Sequence, residues 1–225
     1  MSDAEESNII QSWHRNAQAW ISAIQNNEIN SRIDLTNQAI VDAVLQHKPK
    51  SVLDIGCGEG WLSRAINKEG IDTLGIDVVP ELIEYATQQN LGRFKLLAYD
   101  DLTYANIKQK FDLAVANFSL LGKESVDQII ENLPELLNSH GHVIIQTLHP
   151  LTVGVNSPDK DAWQEGSWDG FNEQFINPAA WYCRSIESWK SLLLANQFTL
   201  VSHTSTLDTT TQQPVSLIIM GQLAS

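Results

Sequence analysis

The segment Asp54–Gly60 reads Asp-Ile-Gly-Cys-Gly-Glu-Gly, three glycines at alternate positions behind an acidic residue, and two further carboxylates, Asp77 and Asp100, follow it. Glycines in this spacing let a backbone turn sharply and let a ligand approach the main chain, while a helix beginning behind them offers unpaired N–H groups. Asp77 stands 19 residues beyond Gly58, where a carboxylate can accept both hydroxyls of a ribose. Asp100, or the backbone beside it, is placed to meet an adenine amino group. The chemistry implied is recognition of a nucleoside-like ligand.

Positioning these groups requires strands that end at the carboxylates. Ser51–Ile55 is a short apolar run that opens directly into the glycines, and an amphipathic stretch follows until Gly70 stops it. Thr73–Ile76, Phe94–Ala98, Phe111–Ala116 and His142–Leu148 are further strands. Helical spacing lies between them, with Pro80 at a first helical turn and Pro134 expected to kink or restart the helix carrying Val126 to Leu137. Such alternation with near-continuous apolar strands predicts a parallel sheet covered on both faces, with Asp54, Asp77 and Asp100 at the carboxyl ends of adjacent strands.

Before the sheet, residues 1–50 read as a helical cap. Ile9, Ile10, Trp13, Ala17, Trp20, Ile21 and Ile24 share one face, and Pro49 ends a second helix. After it, residues 149–184 form a variable, aromatic stretch of little periodicity. Residues 185–225 read as a helix followed by two β-rich runs, 198–207 and 215–220, joined at Asp208–Pro214 as an antiparallel hairpin. The cofactor-binding core is then 51–148, and one domain of 225 residues accounts for the chain.

Composition narrows the partners. A net charge of −13 repels a phosphate backbone, which argues against nucleic acid. No apolar run reaches the ~20 residues of a membrane span. Two cysteines, Cys57 and Cys183, do not make a disulfide framework, and the acidic N-terminus is unlike a leader peptide, so a reducing, cytoplasmic setting is expected. No metal-ligand cluster is present; His140 and His142 flank a glycine at a strand entrance and read as surface residues.

Across much of its length the sequence resembles the class I S-adenosylmethionine-dependent methyltransferases, of the small-molecule type. Val52–Gly60 looks like their first motif, Leu74–Asp77 the second, Ala98–Leu102 the adenine-side motif, Phe111–Leu120 the fourth, and Leu137–Ile145 the segment entering the fifth strand. Tyr182 to Phe198 is similar to the family's tail, departing from it with Asn196-Gln197 where a helix-ending glycine is usual. The resemblance implies an α/β three-layer sandwich around a seven-stranded, mostly parallel sheet ending in an antiparallel hairpin. It implies S-adenosylmethionine as cofactor and S-adenosylhomocysteine as product. Asp54, Gly56, Cys57, Gly58, Gly60 and Trp61 would surround the methionine moiety. Asp77 and Val78 would hold the ribose, and Asp100, Asp101 and Leu102 the adenine edge. Asn117 and Phe118 would lie beside the sulfonium, and Arg32 is a candidate for the cofactor's carboxylate.

The acceptor is less defined. A methyl group on a positively charged sulfur is primed for displacement, so alignment and exclusion of water are the main demands, and a base is needed only if the acceptor must lose a proton. His149, Tyr182 and Arg184 are the catalytic candidates, and Trp13, Trp163 and Trp168 the candidates to line an acceptor pocket, against the alternative that these tryptophans only pack a cover. A nicotinamide-dependent oxidoreductase shares the glycine turn and the ribose carboxylate, and a non-catalytic binding protein could keep the same fold. Both remain open at this level.

Overall fold

The computed structural model describes residues 2–152 and 159–224. Seven strands form one sheet in the order β3-β2-β1-β4-β5-β9-β8. In chain order these are β1 (Ser51–Ile55), β2 (Asp72–Asp77), β3 (Arg93–Leu96), β4 (Phe111–Asn117), β5 (Leu137–Leu148), β8 (Phe198–Leu207) and β9 (Pro214–Leu223). Strands β1 to β5 pair in parallel, β9 runs antiparallel to β5, and β8 antiparallel to β9. From β1 the chain moves outward to β2 and β3, then returns to β4 on the other side. That reversal opens a crevice at the carboxyl ends of β1 and β4, where sheets of this kind bind ligands.

Strand alternation divides the core into two layers. Leu53 and Ile55 face a cluster with α6 (Glu124–Leu136) and α7 (Ile186–Ala195), including Ile129, Leu133 and Trp189. Val52, Leu113 and Ile144 face the opposite cluster with α2 (Asn37–Gln46) and α3 (Trp61–Lys68), through Ile40, Val44, Leu62 and Ile66. Helix α4 (Pro80–Gln88), with Pro80 in its first turn, covers β2 and β3; the short α5 (Tyr104–Ile107) precedes β4. No helix among the described residues is long and apolar enough to cross a membrane.

Helix α1 (Ser2–Gln25) lies against α4 through Ala17 and Ile21, which meet Val79 and Leu82. Its other flank, Ala19 and Ala23, meets Phe175. A single π-type turn, Arg32–Thr36, joins it to α2 and turns both Arg32 and Thr36 inward; such turns are frequent at functional sites.

Three expectations change. Helix α6 runs on through Pro134, which falls in its last turn, so the helix forgoes the N–H bond of that one position shortly before it ends. Strand β5 begins at Leu137 rather than His142, because Leu137 pairs with Phe111 ahead of a register shift. Within 149–184, β6 (Ala162–Gln164) and β7 (Trp181–Cys183) form a small antiparallel sheet that the aromatic sequence conceals; the part of this stretch from 153 to 158 lies outside the described residues. The unusual end of α7 has a structural consequence. Asn196 caps the helix and Gln197 takes the left-handed conformation, φ +68°, that glycine adopts freely.

Gln197→Gly relieves that conformation. It is expected to raise unfolding free energy by about 1 kcal/mol, read as a higher urea midpoint with an unchanged slope.

Candidate functional site

Between Ile55 and Trp61 the chain must reverse from strand to helix, and all three glycines carry positive φ: +67° at Gly56, +57° at Gly58 and +83° at Gly60. A Cβ at Gly56 would fall 2.4 Å from both Ser119 Cβ and the Tyr99 hydroxyl, and one at Gly60 would fall 2.6 Å from the Phe94 ring. Only Gly58 has room, with Trp20 Nε1 the nearest atom at 3.5 Å. Gly56 and Gly60 are therefore demanded by close packing, whereas Gly58 presents bare backbone to the cleft. The loop is tied down by its neighbours. Cys57 N–H donates to Ile76 O (2.9 Å), and Ser119 Oγ to Ile55 O (2.6 Å). Asp77 accepts Gly58 N–H on one oxygen (2.8 Å) and Val79 N–H on the other (3.0 Å).

Above this loop lies a cleft of about 1010 Å³. Its floor is the carboxyl edge of the sheet and its roof is α1 with residues 166–181. Asn16, fully buried, clamps the two roof segments: its Nδ2 donates to Ile176 O and its Oδ1 accepts Ile176 N–H, each at 2.8 Å. Glu6 fixes the start of α1 across the cleft by accepting N–H bonds from Lys123, Glu124 and Ser125, the unpaired donors at the start of α6.

Of the residues singled out from sequence, Arg32, Gly56, Cys57, Gly58, Trp61, Asp77, Val78, Asp100, Asn117 and Phe118 line the cleft, as do Trp13 and Trp168. Others do not. Asp54 alternates to the α3 face of β1, where Ser63 Oγ donates to it at 2.8 Å; it lies beneath the helix instead of in the cleft. Gly60 caps α3. Leu102 is fully buried in the core, and Asp101 is exposed away from the cleft.

The catalytic candidates are likewise engaged elsewhere. His149 is buried, with Nε2 3.1 Å from Ser205 Oγ and Nδ1 accepting Leu151 N–H. Tyr182 meets Trp163 edge to face at 5.5 Å, and both lie off the cleft lining. The Arg184 guanidinium donates to Asp127 Oδ1 and Lys123 O, each at 2.8 Å. A place after the fifth strand for His149, and just before the last helix for Tyr182 and Arg184, predicted their proximity, but His149 is tied to the hairpin, Arg184 to α6, and Tyr182 packs within the cover.

Beside Arg32 the structure places two residues that the motifs left unassigned, Glu59 and Thr36. Arg32 lies between the Trp20 and Trp61 rings, 5.0 and 5.1 Å from their centroids. Its Nε donates to Asn37 Oδ1 (3.3 Å), and its Nη1 is buried without a partner. Glu59, buried on the same lining, holds Trp61 N–H and Arg64 on Oε1, while Oε2 is without a partner. Thr36 Oγ1 is a third such atom. Glu59 sat within the glycine motif, and Thr36 follows Arg32 at one-turn spacing; only the fold shows that they converge.

Electrostatically, the floor is strained. Burial raises Asp54 to about 7 against partial relief from Ser63, with Glu59 and Asp77 adding to the rise. Burial also raises Glu59, opposed by Arg32 and Arg64, and raises Asp77, opposed by its backbone donors. Desolvation lowers Arg32 to about 10, with Glu59 acting the other way. An excess of buried negative charge over paired cations suits a ligand that carries positive charge of its own. The free atoms, Arg32 Nη1 and Glu59 Oε2, are a donor and an acceptor without mates, which is the complement of an α-amino-acid terminus.

Residues 29–203 match the family described as methyltransferase domain. The chain is 32% identical over 124 residues to a ribosomal protein L11 methyltransferase of Thermosipho africanus, covering 52% of this chain and 46% of that one. It is 33% identical over 112 residues to a probable S-adenosyl-L-methionine-dependent methyltransferase TehB of Haemophilus influenzae, covering 47% and 38%. The chain thus spans less than half the length of these curated relatives. Among solved structures, it resembles the plantazolicin methyltransferase BamL in complex with a triazolic desmethylPZN analogue and S-adenosylhomocysteine (TM-score 0.67, 15% identity, 99% of this chain and 97% of that one). It also resembles the Burkholderia thailandensis 1,6-didemethyltoxoflavin-N1-methyltransferase (TM-score 0.64, 17% identity, 93% and 87%). At these identities the structural likeness is one of fold.

The state of Asp54 is measurable. From its ordinary 3.8 to about 7, the folded chain holds a proton that the unfolded chain has lost, so Asp54 makes stability fall as pH rises through that window and level off above it. Between about pH 4 and 8, the wild-type unfolding free energy should fall relative to that of Asp54→Asn by on the order of 3–4 kcal/mol; a pH-independent difference would refute the buried, protonated carboxyl.

Proposed function

The chain belongs to the class I S-adenosylmethionine-dependent methyltransferases, and from that membership we propose that it transfers a methyl group to a small-molecule acceptor bound beneath the roof. The observation that carries the donor assignment is the pair of orphaned buried atoms, Arg32 Nη1 and Glu59 Oε2, on the lining beside the glycine loop. In this reading Arg32 takes the donor's α-carboxylate and Glu59 its ammonium. The exposed side of Gly58 receives the methionine chain against bare backbone. Asp77, already oriented by Gly58 and Val79 N–H groups, offers its remaining lone pairs to ribose hydroxyls. Asp100 serves the adenine end, and Asn117 and Phe118 the reacting end. The donor supplies a methyl group on a positively charged sulfur.

What the protein adds is orientation and dryness. The Asn16 and Glu6 fastenings hold the roof over the cleft, so that reactants are aligned and water is excluded, the two terms on which such a displacement depends. An acceptor reached only beneath that roof favours a small molecule over a side chain on a folded protein surface. The free thiols Cys57 and Cys183 support a reducing, cytoplasmic setting.

Calorimetric titration with S-adenosylhomocysteine tests the donor site. Arg32→Ala is expected to weaken its binding about tenfold or more, while leaving 5′-methylthioadenosine, which lacks the carboxylate, unchanged. Equal losses for both ligands would remove Arg32 from the role. Binding of a nicotinamide cofactor with no response to S-adenosylhomocysteine would reverse the assignment in favour of an oxidoreductase.

A further inference from the structure

The cleft's volume, about 1010 Å³, is at the upper end of the ~300–1,000 Å³ usual for ligand pockets, which leaves room for an acceptor beside the donor. The chemistry of its lining constrains that acceptor. Among the described residues on the lining, Arg32 is the only Lys, Arg or His, and residues 153–158 contain none of these types. Arg32 is committed to the donor in the reading above. Other cations that border the lining are spent: Arg64 on Glu59, Arg184 on Asp127 and Lys123 O, and Lys123 Nζ on Glu124 at 3.2 Å. Glu6, Glu28, Glu124 and Asp169 add further negative charge to the lining. An acceptor bearing a carboxylate or phenolate would enter without a counter-charge from the protein, against walls that are themselves acidic.

Several polar groups on or near the described lining are unsuited to act as a base. The Tyr99 hydroxyl donates to Ser119 O at 3.2 Å, and burial pushes its pKa upward. Burial and the neighbouring carboxylates raise the Cys57 thiol. Glu6 is consumed as the cap of α6. Against desolvation, a backbone hydrogen bond at its own position, with Lys123 beside it, holds Glu124 below the usual carboxylate range, a weak base. His149 has both ring nitrogens engaged and lies off the lining. A hydroxyl acceptor would therefore find none of these groups free to take its proton.

The walls, by contrast, are rich in ring faces: Trp13, Trp20, Phe118, Trp168, Phe171 and Trp181. Trp13 and Trp168 meet edge to face at 5.7 Å, and Trp168 and Phe171 at 5.3 Å. We infer that the methyl acceptor is an uncharged nitrogen on a flat, ring-bearing amine or heteroaromatic molecule, and that its carboxylate and phenolate counterparts are rejected. This inference rests on the methyl-transfer reading. The acceptor nitrogen's lone pair forms the new N–CH₃ bond as the S–CH₃ bond breaks, and the S–CH₃ electron pair returns to sulfur. The positive charge moves from sulfur to nitrogen, and any proton on that nitrogen then leaves to water. Positive charge is conserved through the step, so acidic walls and aromatic faces favour it from start to finish. An anionic nucleophile would cancel the charge and forfeit that stabilisation.

The test begins with protein saturated by S-adenosylhomocysteine, whose binding is verified first; failure at that stage overturns the methyl-transfer reading itself. The loaded protein is then titrated, following tryptophan fluorescence, with matched amine, hydroxyl and carboxylate derivatives of one-, two- and three-ring scaffolds. The amines are expected to bind about tenfold tighter than the matched carboxylates, and Gln128→Arg, which adds a cation to the lining, should narrow or reverse that preference. With S-adenosylmethionine, label transfer should reach the amines, with a turnover profile between about pH 7 and 9 that shows no enzyme group titrating. Carboxylates binding as tightly as amines, no derivative binding to the loaded protein, or transfer to hydroxyls would each overturn the inference.

Discussion

Three carboxylates, Asp54, Glu59 and Asp77, are buried around a single glycine turn, and each is raised in pKa by that burial. The rest of the site can be understood as the means of tolerating them. Asp54 is held by Ser63 from the helix above, Asp77 by the backbone donors of Gly58 and Val79, and Glu59 by Arg64 and Trp61 N–H. Among these contacts only Arg64 brings a positive charge, so the carboxylates are held in place without being fully balanced. A ligand that brings a sulfonium and an ammonium supplies what is missing, so the floor is preorganised for a cation rather than for a neutral nucleoside.

The same economy governs the roof. Helix α1 presents an apolar flank to α4, a polar clamp through Asn16 to residue 176, and a carboxylate through Glu6 to the start of α6. Each contact reaches a different element that borders the cleft. The N-terminal helix is thereby a component of the site, and the tryptophans it carries serve both packing and lining: Trp13 and Trp20 meet edge to face at 5.3 Å while facing the cavity.

Sequence periodicity was informative where local rules dominate. Apolar runs ending in glycine or aspartate marked β1 and β2, and the glycine spacing marked the turn, because strand burial and positive φ leave direct signatures. The strand-end rule placed Asp77 and Asp100 on the cleft, but it failed for Asp54, where a one-residue alternation sends the side chain to the helix face. Arg32 and Glu59 are 27 residues apart in the chain, and no local pattern announces that a π-type turn brings both to one lining. His149, Tyr182 and Arg184 stand at element ends, which is legible, whereas their partners Ser205, Trp163 and Asp127 come from distant segments and decide where each side chain points.

A crystal structure of the protein with S-adenosylhomocysteine bound tests the central claim most directly. It should show the amino-acid end of the ligand on Arg32 Nη1 and Glu59 Oε2, its chain against Gly58, and its ribose on Asp77, with α1 closed above. A ligand seated elsewhere, or one in the cleft whose carboxylate and ammonium leave Arg32 and Glu59 unpaired, would contradict the account.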